Sequence, residues 1–191
     1  MVISKLFRTL CFITLLSKLY AEQRNHVSDF LRRHGLDREK RHADAPVFTH
    51  CPNGYTRHDN SCYVITDRKA TWTDAYVFCE AFGGHLAYIE SEGEQHFITI
   101  FLNTTANAGR DHTTNYYWIG GTDAVTEGEW LWVPAVKPVK YTKWNPGDPS
   151  SFVQDCIALY WNGVWDDGTC EEKHYFICEI ELETEINQIV G

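Results

Sequence analysis

Tyr141-Thr142-Lys143-Trp144-Asn145-Pro146-Gly147-Asp148-Pro149-Ser150-Ser151-Phe152-Val153-Gln154-Asp155-Cys156 and, four residues on, Trp161-Asn162-Gly163-Val164-Trp165-Asp166-Asp167-Gly168-Thr169-Cys170 carry the features that decide the fold. Pro146, Gly147 and Pro149 forbid helix and favour an irregular loop. Asp148, Gln154, Asp155, Asp166 and Asp167 supply more oxygen ligands than a surface turn needs. If Cys156 and Cys170 bond each other, the loop and the Trp165–Asp167 turn are drawn together, and carboxylates distant in sequence can share one ion. Mixed carboxylate and amide oxygens suit calcium rather than zinc or copper. The plain alternative is a solvated acidic loop.

The chain has 191 residues, the length of one ordinary domain with appendages. Residues 1–21 read as a signal peptide, with Lys5 and Arg8 as a basic region, Leu10 to Leu19 as an apolar core and Ala21 at the cleavage position. That core is interrupted by Lys18 and is about half the roughly 20 residues a bilayer crossing needs, so no membrane span is expected. Cys11 would leave with the signal. The remaining Cys51, Cys62, Cys79, Cys156, Cys170 and Cys178 form an even set in a secreted, extracellular chain and read as three disulfides, with fifteen pairings open. The chain has no CxxC pair, which argues against a structural zinc site.

Residues 22–41 are polar and mostly basic, and they end in Arg38-Glu39-Lys40-Arg41, which is similar to a proprotein-convertase site. They read as a propeptide or a flexible linker, with His42 starting the mature chain if Arg41 is cut. Residues 42–50, with Pro46, continue as linker. From His42 on there are 8 Lys+Arg against 22 Asp+Glu, a net charge of −14 against −9 for the whole chain. Such acidity argues against nucleic acid or an anionic membrane as partner and for cations or neutral ligands.

The domain opens at Cys51-Pro52-Asn53-Gly54, a turn signal, and a Cys51–Cys62 bond across the hairpin that follows is the cheapest local pairing. Trp72, Ala75, Tyr76, Cys79 and Phe82 recur at helical spacing between Thr71 and Phe82, and Gly83-Gly84 ends that helix. Ser91 and Glu94 have capping-box spacing ahead of Phe97, Ile98, Phe101 and Leu102, which predicts a second helix. After Asn103 short strands are expected at Tyr116–Gly120, Glu129–Val133, Cys156–Leu159, Val164–Trp165 and Tyr175–Glu179. Helices first and strands later argue an α+β fold with antiparallel sheets. Asn103-Thr104-Thr105 is a glycosylation sequon, expected in an accessible loop after the second helix. Residues 180–191 read as an acidic tail.

From Cys51 to Glu179 the sequence resembles the C-type lectin-like fold, closest in look to secreted invertebrate lectins of the perlucin type. The resemblance is carried by Trp118-Ile119-Gly120-Gly121, Trp130-Leu131-Trp132, the loop prolines, Trp165-Asp166-Asp167 and the order of the six cysteines. It implies the pairs Cys51–Cys62, Cys79–Cys178 and Cys156–Cys170. In sugar-binding members calcium sits in the long loop, held by Glu-Pro-Asn or Gln-Pro-Asp, a later Glu and a Trp-Asn-Asp turn. Carried over, the ligands become Asp148, Ser150, Gln154, Asp166 and Asp167, with Pro149 cis.

The family's Glu and Asn have thus exchanged places, as Gln154 and Asp166, and three carboxylates are kept. Each sugar hydroxyl at calcium needs one acceptor and one donor, which Gln154/Asp166 and Asp148/Ser150 could supply. An accessory calcium position in mannose-binding relatives falls on Asp123, Glu127 and Asp155, with Ser151 and Gln154 in place of acids. The acid at Asp148 leans toward the mannose/glucose class, and Trp144 and Trp161 are candidates for stacking on a sugar face, or for packing.

The leading expectation is therefore a calcium-dependent glycan-binding module acting in innate immunity. The rival is a sugar-independent domain that binds protein or mineral surfaces. An enzyme ranks last, because no Gly-x-Ser-x-Gly or HExxH string accompanies His85, His96 or His174. No collagen repeat or heptad precedes the domain, so oligomerisation is not indicated.

Overall fold

Thr71 caps the first helix, its hydroxyl accepting from the amide of Asp74 at 3.2 Å, and α1 (Trp72–Ala81) buries Trp72, Ala75, Tyr76 and Cys79 along one face. It stops where expected. Gly83 takes a left-handed φ of 81°, and the amides of Gly83 and Gly84 return to the carbonyls of Glu80 and Cys79. The second helix, α2 (Glu92–Ala106), starts from the predicted box: the Glu94 amide donates to Ser91 Oγ at 3.2 Å, and the Glu94 carboxylate accepts from the amide of Glu90 at 2.7 Å. Ile98 and Leu102 are buried on its inner face, with Phe97 and Phe101 packed beside them.

The computed structural model describes residues 47–106 and 115–183. The signal peptide at 1–21, the 22–41 segment with Arg41, linker residues 42–46 and residues 184–191 of the tail lie outside the described residues.

Nine strands accompany the helices among the described residues: β1 (Thr56–His58), β2 (Ser61–Ile65), β3 (His85–Leu86), β4 (Tyr116–Thr122), β5 (Leu131–Trp132), β6 (Lys137–Pro138), β7 (Cys156–Tyr160), β8 (Trp165–Gly168) and β9 (Tyr175–Glu181). They run β1-β2-β9-β4-β5-β6, with β3 added to β9 and the β7–β8 hairpin added to β4. The expectation of purely antiparallel sheets needs one correction. β4 and β9 are parallel, pairing Tyr117 with Tyr175 and Trp118 with Phe176. The intervening chain turns back through β7 and β8 before β9 returns, so β9 meets β4 in the same direction as it meets β2 in the opposite one.

β4 is the hub. It contacts β5, β7 and β9, and residues 117–122 are buried. Layers on both sides approach it so closely that a side chain at Gly120 would meet the Leu86 carbonyl at 2.7 Å and the Tyr88 ring. Trp72, Trp118, Trp132 and Trp165 are all fully buried. Three of these indoles hand off their N–H inside the core, Trp72 to the Ile119 carbonyl, Trp118 to the Ala70 carbonyl and Trp165 to the Gln95 amide oxygen.

Outside the helices, β4 and β9 the strands have five residues or fewer, and three disulfides hold the chain: Cys51–Cys62, Cys79–Cys178 and Cys156–Cys170, the pairing the resemblance implies. The fold also extends beyond the expected limits of 51 and 179. Ile180 and Leu182 are buried against Cys62 and Phe48, and the Glu183 amide donates to the Phe48 carbonyl. Asn103 is placed differently too. It lies in the final turns of α2 rather than in a loop, with its side-chain amide donating to the Thr99 carbonyl at 2.9 Å.

Cys79–Cys178 closes a separation of 99 residues and Cys51–Cys62 one of 11. Replacing the first pair by alanine is expected to lower unfolding free energy by about 4–5 kcal/mol and the second by about 3 kcal/mol on chain-entropy grounds. Guanidinium unfolding of the two oxidised variants measures the difference; equal midpoints would contradict it.

Candidate metal and ligand site

β7 and β8 form a hairpin closed by Trp161-Asn162-Gly163, with Ile157 opposite Asp167 and Ala158 opposite Asp166. Gly163 has φ of 83°, and the Asn162 side chain accepts from the Val164 amide at 3.2 Å. The turn is clamped from behind by Gln95 of α2. This buried amide donates to the Gly163 carbonyl at 2.8 Å and accepts from the Trp165 indole at 2.8 Å.

The long loop is then laid beside β8. Trp144 bridges to Trp165 in parallel, through Asn145 N donating to the Trp165 carbonyl and Trp165 N donating to the Lys143 carbonyl, both at 2.8 Å. Asn145, Gly147 and Asp148 turn the chain, the Asp148–Pro149 peptide is cis as the resemblance implies, and the amides of Ser150 and Ser151 donate to Asp167 Oδ2 at 2.7 and 3.0 Å.

Three carboxylates converge as a result. Asp148, Asp166 and Asp167 each offer one oxygen, and these oxygens lie within 4.8 Å of one another. Asp167 is fully buried, and its Oδ1 has no hydrogen-bond partner. Asn145 donates to Asp148 Oδ2 at 3.2 Å. Burial raises the Asp166 carboxyl to about 6, reinforced by its hydrogen bond with Asp148 and by the charges of Asp148 and Asp167. An all-oxygen, three-acid donor set with an orphaned buried oxygen fits a hard divalent cation.

The accessory residues gather less tightly. Asp123 and Glu127 line a cleft of about 130 Å³ together with Trp130, Pro149, Ser150, Ser151 and Phe152. The Asp123 amide donates to the Asp155 carbonyl at 3.1 Å, and Asp123 Oδ2 accepts from the Gly128 amide at 2.9 Å. Burial again pushes Asp123 up to about 6, with Glu127 and Asp155 adding to the shift; Asp155 itself is raised by burial and by Glu171. Among the described residues the tight carboxylate group is Asp148, Asp166 and Asp167, and the Asp123, Glu127 and Asp155 trio does not match it.

Ser150 is brought to the cluster through its backbone, and Gln154 follows on the same loop with its amide donating to the Ser151 carbonyl at 3.3 Å. Trp144 packs its ring on Trp130 and Trp165, at 5.0 and 5.5 Å, while Trp161 at the hairpin turn is 39% exposed. The sequence reading missed Gln95, Asn145 and Tyr160, the last hydrogen-bonded to Asp166. Asn145 opens the Asn-Pro-Gly turn three residues before Asp148, and that turn was the available signal.

Comparison with known proteins agrees with this architecture. The lectin C-type domain family matches residues 68–180. Perlucin of Haliotis laevigata is 32% identical over 136 residues, covering 69% of this chain and 83% of perlucin. The galactose-specific lectin nattectin of Thalassophryne nattereri is 34% identical over 135 residues, covering 69% of this chain and 81% of nattectin. Among solved structures, the mouse scavenger receptor C-type lectin carbohydrate-recognition domain superposes with a TM-score of 0.61 at 36% identity, covering 70% of this chain and 98% of that domain.

Gln95→Leu leaves the Trp165 indole and the Gly163 carbonyl without partners, an expected loss of about 2–6 kcal/mol in urea unfolding at about 1–3 kcal/mol for each buried group. A loss under half of that lower bound would refute the clamp. A pH series tests the acids. Asp123 and Asp166 have folded values raised above the ordinary 3.8, so their stabilisation is full below that value and disappears as pH rises through about 6. Calcium-free protein should therefore melt lower at pH 7 than at pH 4.5, and added calcium should raise the melting temperature more at pH 7.5 than at pH 5. A melting temperature flat across this range would contradict the assignment.

Proposed function

The chain belongs to the lectin C-type domain family of carbohydrate-binding domains, and we propose that it is a secreted lectin that recognises glycans through a calcium ion held by Asp148, Asp166 and Asp167. The observation that carries this reading is the convergence of those three carboxylates with Asp167 Oδ1 buried and unpartnered. A buried carboxylate oxygen without a partner is destabilising in the protein alone and becomes favourable when a cation takes it up.

The hydroxyl of Ser150 and the amide of Gln154 complete the ligand set from the same loop. When bound, calcium supplies open coordination positions for two vicinal hydroxyls of a sugar. The chain does the rest with polar pairs: Gln154 with Asp166, and Asp148 with Ser150, give each hydroxyl one donor and one acceptor. An acid at position 148 favours vicinal equatorial hydroxyls, the mannose and glucose class. The shorter acid and the weaker serine donor place calcium affinity at about the 10⁻⁴–10⁻³ M end of extracellular modules.

The accessory cation position falls on Asp123, Glu127 and Asp155 and is the weaker one, because Ser151 and Gln154 stand there in place of acids and its carboxylates do not converge. Secretion is supported by the signal-like residues 1–21 and by three disulfides in so short a domain. Glycan recognition by a secreted domain fits a part in innate immunity, and Asn103 is its proposed N-glycan acceptor.

The test is retention on mannose-agarose and galactose-agarose in millimolar calcium, followed by chelator. The expected result is retention on mannose, release by chelator, and no retention of Asp167→Ala. Retention that survives chelator would reject calcium-mediated binding.

A further inference from the structure

Phe152 and Val153 are 84% and 72% exposed, the most exposed large apolar side chains among the described residues, and they are adjacent in sequence. Isolated exposed apolar residues are ordinary, but two adjacent ones, the first of them lining a cleft, are not. They are held there. Before them, the amides of Ser150 and Ser151 are fixed on Asp167; after them, the Gln154 amide closes the turn onto the Ser151 carbonyl and the Asp155 carbonyl is fixed by Asp123 and Thr122. The pair is thus displayed by a loop pinned on both sides, so little ordering remains when a ligand covers it.

Phe152 also lines the cleft formed with Trp130, Pro149, Asp123 and Glu127. Asp123, Glu127, Ser150 and Ser151 make up its polar lining. The cleft therefore combines polar side chains with the apolar Trp130, Pro149 and Phe152. A ligand that satisfies both is amphiphilic, with a hydroxylated part and an apolar part joined within a short distance.

We propose that the Phe152–Val153 turn is a second ligand contact that covers an apolar substituent of the bound saccharide, so that the domain selects glycosides bearing an alkyl, acyl or aryl group over bare sugars. This rests on the lectin reading above.

Calorimetry in calcium would compare methyl and hexyl glycosides of whichever sugar, mannose or galactose, retains the protein, for the full chain and for Phe152→Ser/Val153→Ser. The hexyl glycoside should bind about tenfold more tightly than the methyl one, the order expected from covering one apolar side chain. In the double variant that ratio should fall to about two or less, with circular dichroism and calcium uptake confirming its fold. Equal affinities in the unaltered protein, or a preference that survives both substitutions, would overturn this inference alone. Failure of every glycoside to bind would overturn the lectin reading and this inference with it. Sedimentation without ligand adds one more outcome: a dimer that the double substitution dissociates would assign the turn to self-association and overturn the proposal.

Discussion

One carboxylate, that of Asp167, connects the irregular half of this molecule to its regular half. Its Oδ2 accepts the amides of Ser150 and Ser151, and its Oδ1 stays unpartnered in a fully buried position. A loop rich in proline and glycine has no ladder of its own, so its backbone donors must be met from outside. A single carboxylate oxygen meets two of them. The same residue that fixes the loop is thereby left with one oxygen free for a cation, and the geometry of loop and site is a single arrangement.

That arrangement needs a stiff backing. The hairpin carrying Asp166 and Asp167 is tied to β4 by its ladder, to the start of α1 by Trp72 N donating to the Cys170 carbonyl, and to α2 by Gln95. Behind it stand buried tryptophans, Trp132 meeting Trp165 edge-on at 5.8 Å and Trp144 closing the outer side. Burial first, and then the nearness of Asp148 and Asp167, raises the carboxyl of Asp166. A looser scaffold would let the three separate.

Much of this was legible in the sequence, for identifiable reasons. Helical spacing exposed α1 and α2, because each presents one apolar face to one core. Aromatic and β-branched runs exposed β4, β7 and β9. The expected Glu129–Val133 strand is there as the shorter β5, whereas the two-residue strands β3 and β6 exist only through their partners and leave no periodicity to read. The parallel β4–β9 contact follows from the path of the whole chain. At the site, breakers, paired cysteines and clustered acids announced Asp148, Asp166 and Asp167, whereas Gln95 looks like any polar residue on a helix until the chain brings Gly163 and Trp165 to it. Asn103 lies elsewhere than expected because α2 continues through its threonines, with Thr104 Oγ1 donating back to the Ile100 carbonyl.

Phe48 and Glu183 lie side by side, joined by a backbone hydrogen bond, and the covalent route between them is short. From Phe48 it reaches Cys51, crosses to Cys62, continues to Cys79, crosses to Cys178 and arrives at Leu182. Residues 80–177, with every acid discussed at the cluster, hang outside this route. Tension applied through the flanking segments would therefore travel along the bridged path and bypass the carboxylates, so the domain could be tugged at its base while its grip stayed unstrained.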